Sequence, residues 1–169
     1  IRNLNNVNKT VQNGKTTREK QKKGLRVLCY LAFGVYLAAL CYFLFFAELT
    51  GRTDMNRDYH YNLILFKEIT RFIKYRHVLG WFPVFTNIFG NVLIFVPFGM
   101  LVPALSRRYK RLPGVTLLSF ELSLAVELIQ LITKVGSCDV DDMLLNTLGG
   151  ILGFACYKIV SCTSRRKHK

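Results

Sequence analysis

Four long apolar segments, Leu25–Ala47, Val84–Leu105, Gly114–Thr133 and Met143–Cys162, leave too little polar sequence in 169 residues to wrap them as a soluble core. Each is long enough to cross a hydrocarbon layer about 30 Å thick as a helix rising about 1.5 Å per residue. Hydrophobic residues make up 51% of the chain, and they are massed in these blocks instead of recurring at the period of a half-buried helix or strand. The pattern predicts an all-α, polytopic membrane protein: a four-transmembrane-helix bundle in a lipid bilayer. Residues 1–24 read as a disordered basic tail, 25–162 as the membrane domain and 163–169 as a second basic tail.

The net charge of +14 would suggest nucleic acid in a soluble protein, but its distribution argues against that partner. Arg2, Lys9, Lys15, Arg18, Lys20, Lys22, Lys23 and Arg26 lie before or at the start of the first span. Arg107, Arg108, Lys110 and Arg111 fill the connection between the second and third, and Arg165, Arg166, Lys167 and Lys169 follow the fourth. Basic residues at alternate junctions place both termini and the middle connection in the cytoplasm. The first span is long for a signal peptide, and Leu40 spoils the lipoprotein-like stretch ahead of Cys41, so it reads as a retained span. Numbering that starts at Ile1 points to a trimmed start. Cys29, Cys41, Cys138, Cys156 and Cys162 show no metal-ligand or disulfide spacing and read as soft, buried residues.

The outer connection, roughly 48–83, is long enough to hold structure. Across Tyr59–His77, Leu63, Phe66, Ile69 and Ile73 recur near the helical period with Lys67, Arg71 and Lys74 between them, which predicts an amphipathic helix lying in the outer interface. Pro97 and Pro103 would kink the second span, and Gly149 and Gly153 form a G-x-x-x-G pair suited to close packing within the bundle.

Polar residues inside the spans fall at one depth. Asn87 and Asn91 share a face of the second span, and Glu127 and Gln130 share a face of the third. Asp141, Asp142 and Asn146 stand at the mouth of the fourth. An ionisable group in a span costs roughly 2.5–3.5 kcal/mol on insertion scales, so Glu127 should point into the bundle, toward Asn91, Asn146, Lys67 or Arg71. The expectation is an extracytoplasmic-side polar pocket, with a register-fixing polar cluster as the plainer alternative. Glu121 lies on another face and receives no role. Asp139, Asp141 and Asp142 could hold a hard cation, but capping of the fourth helix is favoured for at least one of them. Nothing calls for a cofactor.

In family order, the chain carries Asn62-Leu63-Ile64-Leu65-Phe66-Lys67, Gly90-Asn91-Val92-Leu93-Ile94-Phe95-Val96-Pro97-Phe98-Gly99, and Glu127-Leu128-Ile129-Gln130. The run Asp139-Val140-Asp141-Asp142-Met143-Leu144-Leu145-Asn146-Thr147-Leu148-Gly149-Gly150 follows. Over about residues 62–153 these strings resemble the VanZ-like family of bacterial cell-membrane proteins, named for a teicoplanin-resistance accessory. The resemblance implies reduced susceptibility to teicoplanin-type lipoglycopeptides. Joined to the pocket, it implies that Asn87, Asn91, Glu127, Gln130, Asp142 and Asn146, with Lys67 or Arg71, engage the amphiphilic antibiotic or a lipid-linked wall precursor. One alternative is an enzyme on lipid-linked wall intermediates with Glu127 as acid or base. Another is a small transporter or ion pathway, which from four spans would need a homodimer.

Overall fold

The computed structural model describes residues 2–42, 61–134 and 137–166. Helix α1 runs Arg2–Cys41, strand β1 is Tyr61–Asn62, and helices α2 (Lys67–Lys74) and α3 (Arg76–Leu79) follow. Helix α4 is Trp81–Leu105. A 3-10 turn at Arg107–Tyr109 leads to α5 (Leu112–Thr133), then strand β2 (Cys138–Asp139) and helix α6 (Val140–Arg166). Within them, Lys23–Cys41, Trp81–Leu105, Leu112–Thr133 and Val140–Thr163 are long and apolar enough to cross a membrane. The protein is an all-α polytopic membrane protein; among the described residues the exception is a two-residue strand pair. That pair is parallel, with Tyr61 beside Cys138 and Asn62 beside Asp139.

Helix α1 continues back through the basic stretch expected to be a disordered tail, as far as Arg2. Its Lys, Gln, Arg and Glu residues are adequate helix formers without a proline to stop them. The end of the predicted first span, 43–47, lies outside the described residues, as do Tyr59 and His60 of the outer segment. The other three spans begin two or three residues before their apolar blocks. Gly80, at φ 82°, turns the chain into α4. Pro113 sits in the first turn of α5, where a missing N–H costs nothing.

Helix α4 packs most extensively on α6, and α5 packs on α6 as well. A Cβ on Gly149 would meet the Val92 carbonyl oxygen, one on Gly153 the Val96 carbonyl, and one on Gly99 the Gly150 carbonyl. The G-x-x-x-G pair is therefore buried against α4, inside the bundle, where absent side chains let two backbones touch. Phe95, Val115, Phe98 and Val102 fill the core. Helix α1 leans on α4 through the Tyr36 hydroxyl, which donates to the Ile94 carbonyl at 2.9 Å, and through Phe33 beside Phe98. Only 6% of the α1 span is buried within the chain, which leaves most of its apolar surface facing outward, as a membrane-spanning helix requires. Cys41, Cys156 and Cys162 lie on such outward faces. Of the five cysteines, which were expected to be buried, only Cys138 is.

The outer segment departs most from its predicted form. In place of one helix over Tyr59–His77 there is a strand, a turn, and the two short helices α2 and α3. Phe66 interrupts the helix from a left-handed conformation, φ 63°. A bulky side chain there is strained, and something outside the segment has to hold it.

Candidate functional site

At one end of the bundle, four stretches distant in sequence meet: Asn62–Ile69, Asn91, Glu127, and the acidic run Asp139–Asp142. Hydrogen bonds join them. Asn62, buried, donates through Nδ2 to Asp139 Oδ1 at 3.2 Å and accepts the Ile64 N–H at 3.2 Å, which bends the chain after β1. Asp139 Oδ1 also accepts the Asp141 N–H at 2.8 Å, the geometry of an N-cap one residue before α6. The fourth helix is thus capped by Asp139.

Asp141 does something else. Its side chain is 1% exposed, and its carboxylate accepts the backbone N–H groups of Phe66, Glu68 and Ile69. The bonds to Glu68 and Ile69 are 2.9 and 3.2 Å. Phe66, the N-cap residue of α2, makes no side-chain cap hydrogen bond. The helix's orphan donors are satisfied by a carboxylate some seventy residues away, which also favours the positive end of the helix dipole. Asp142 accepts from Asn91 Nδ2, tying α6 to α4. Glu127, 2% exposed, accepts the Asp139 N–H through Oε2 at 2.9 Å, tying the β2 turn to α5.

The neighbouring polar residues continue down the α5–α6 contact. Asn146, 3% exposed, donates to Ser123 Oγ at 2.9 Å, and its Oδ1 has no hydrogen-bond partner. Ser119 Oγ, also without a partner, fills the space a side chain on Gly150 would take. Ser119, Ser123 and Glu127 recur every four residues, so one face of α5 is a polar seam. Gln130 is buried near the C-terminal end of α5.

Burial pushes the Asp139 carboxyl above its usual range; hydrogen bonds from Asp141 N–H and Asn62 and the positive charge of Arg71 act against that rise. Burial, then the charges of Glu127 and Asp139, raises the Cys138 thiol, which keeps it protonated and unreactive.

The residues named from sequence therefore divide. Asn91 and Asp142 meet each other, Glu127 meets the acidic run, and Asn146 meets Ser123. Asn87 is half-buried one turn from Asn91. Lys67 is exposed, and Arg71 pairs with Glu68 at 2.7 Å on the surface of α2. Glu121 is exposed on α5. Among the described residues, no group of three or more His, Cys, Asp or Glu is placed to hold a metal. Among the described residues, one apolar groove runs along the N-terminal half of α4 and another lies about Leu112, Thr116, Phe120 and Thr147. Neither is lined by any of the eight residues expected to form a pocket.

Sequence reasoning missed Asn62, Ser119 and Ser123 as members of the polar network. The four-residue recurrence of the serines with Glu127 was the available signal. Asn62 had none beyond its place in a motif, because its partner is an aspartate on another element.

The family profile described as VanZ/LLP1 matches residues 33–161, which takes in all the elements that meet here. Protein VanZ of Enterococcus faecium is 38% identical over 73 residues, a stretch that covers 43% of this chain and 45% of that protein. The chain thus matches less than half the length of that relative. No solved structure matches the chain significantly. The matched span and the bundle it builds settle the assignment: this chain belongs to the VanZ/LLP1 family.

Proposed function

We propose that the protein gives low-level resistance to teicoplanin-type lipoglycopeptides by engaging the amphiphilic antibiotic, or a lipid-linked wall precursor, at the extracytoplasmic end of the bundle. Both termini then lie in the cytoplasm, as the basic clusters at alternate junctions favour. The observation that carries this reading is the fixing of α2 by Asp141. A short helix bearing Lys67, Arg71 and Lys74 is held at the bundle end by three backbone hydrogen bonds, so its cations are presented on a rigid platform. Exposed Lys67 and half-exposed Arg71 suit an anionic or phosphate group at the membrane surface. Asn91, Glu127, Asp142 and Asn146, together with Asn87 and Gln130, complete the proposed site on the helices behind the platform.

Susceptibility testing with teicoplanin, vancomycin and de-acylated teicoplanin, in cells expressing wild type or single variants at matched levels, tests this. Lys67→Ala and Arg71→Ala should reduce teicoplanin protection without loss of protein. Glu127→Gln, which keeps an oxygen for the Asp139 N–H, should retain most of it. Protection abolished by Glu127→Gln with the protein intact would favour acid–base chemistry instead. Protection unchanged against de-acylated teicoplanin would exclude recognition of the acyl tail.

A further inference from the structure

The groove on α4 takes in about 560 Å³ and lies outside the polar network. Trp81, Phe82, Phe85, Phe89, Gly90 and Leu93 line it. From Trp81 to Leu93 the helix rises about 18 Å, more than the roughly 15 Å of one hydrocarbon leaflet. Phe85 and Phe89 stack with centroids 4.6 Å apart and make one wall. Gly90 leaves the floor open, since a Cβ built on it meets nothing within 4 Å. The hydroxyl of Thr86 donates back to the Phe82 carbonyl at 2.8 Å, so the surface stays apolar. At the mouth, the Arg76 guanidinium lies over the Trp81 ring, 5.9 Å from its centroid. Lys67, Arg71, Lys74 and Arg76 crowd α2 and α3, with Glu68 the one acid among residues 67–79.

An apolar slot one leaflet deep, with an arginine at its rim and an excess of cations above it, complements one kind of molecule in a bilayer. We infer that the groove seats an acyl chain of an anionic phospholipid whose phosphate headgroup is held by Arg76. The surrounding annulus offers chains of every headgroup, and the cationic rim selects among them. This goes beyond the resistance reading and does not require it, because no antibiotic enters its test.

Trp81 is the single tryptophan of the chain and lines the groove, so its fluorescence reports the occupant directly. Full-length protein is reconstituted in vesicles of phosphatidylcholine with a fixed fraction of acyl-brominated lipid, either phosphatidylglycerol or phosphatidylcholine. Brominated phosphatidylglycerol should quench Trp81 with an apparent affinity about fivefold higher, the contribution of one cation near an anionic headgroup. Arg76→Gln should erase that preference while leaving quenching by the phosphatidylcholine probe. Gly90→Leu, which fills the floor, should weaken quenching by both. Equal quenching by the two lipids in wild type, or a preference that survives Arg76→Gln, overturns the inference. Weak quenching by either probe, the result if protein covers the groove, also overturns it.

Discussion

Asp141 is a buried carboxylate whose oxygens are engaged by backbone donors of another element. Hydrogen bonds to a charged acceptor contribute more than neutral ones, and stranded donors in a low-dielectric setting cost more still. Asp141→Ala should therefore lower stability in detergent by roughly 2–4 kcal/mol, read as a fall in the thermal midpoint. Asp141→Asn, which keeps one acceptor oxygen, should cost less. Asp139 behaves differently under titration. Its folded-state pKa is raised, so the carboxyl favours folding most when protonated, and that contribution is lost as pH rises through the folded value. Asp139→Asn keeps an oxygen for the Asp141 N–H and for Asn62. Its midpoint relative to wild type should accordingly climb as pH rises through the carboxylate range and then level off. A difference that stays flat or falls with pH would contradict the burial of that charge.

Among the elements, the α4–α6 seam rests on absent side chains. Gly149→Ala and Gly153→Ala drive a methyl into the Val92 and Val96 carbonyls, and overpacking of that kind costs about 1–3 kcal/mol. Gly34→Ala in α1, where a Cβ meets nothing within 4 Å, should be neutral or stabilising by up to about 1 kcal/mol. Thermal midpoints of the three variants check this, and equal effects would mean the seam is looser than described. The spans were legible because twenty apolar residues in a row have few other fates. The outer segment was not. Its period of Leu63, Phe66, Ile69 and Ile73 is helical, yet the helix starts only at Lys67, because its N-terminal donors bond to Asp141 from the far side of the chain. Local spacing carries no trace of a cap supplied by another element.

For the whole molecule, sequence indicated that amides and carboxylates of three helices converge at one depth. In the structure Asn91 bonds Asp142, Glu127 bonds the Asp139 N–H and Asn146 bonds Ser123, all within the protein. Asp139, Asp141 and Asp142 looked alike as a run, but each faces a different element and does separate work: a cap for α6, a clamp on α2 and a link to α4. No one-dimensional pattern distinguishes three adjacent acids whose partners lie elsewhere. Reporter fusions after residue 169 and in the 106–111 connection should both report cytoplasm, with a tag near Lys74 outside. The reverse pattern would remove the platform from the antibiotic's side of the membrane.

The account depends above all on Asp141 docking the cationic outer helix onto the bundle. Residue-resolved amide hydrogen exchange in lipid nanodiscs measures that docking directly. Phe66, Glu68 and Ile69 should exchange slowly in wild type and rapidly in Asp141→Ala, while Phe95 in the core stays protected in both. Rapid exchange at those three amides in wild type, or no change on removing the carboxylate, would contradict it.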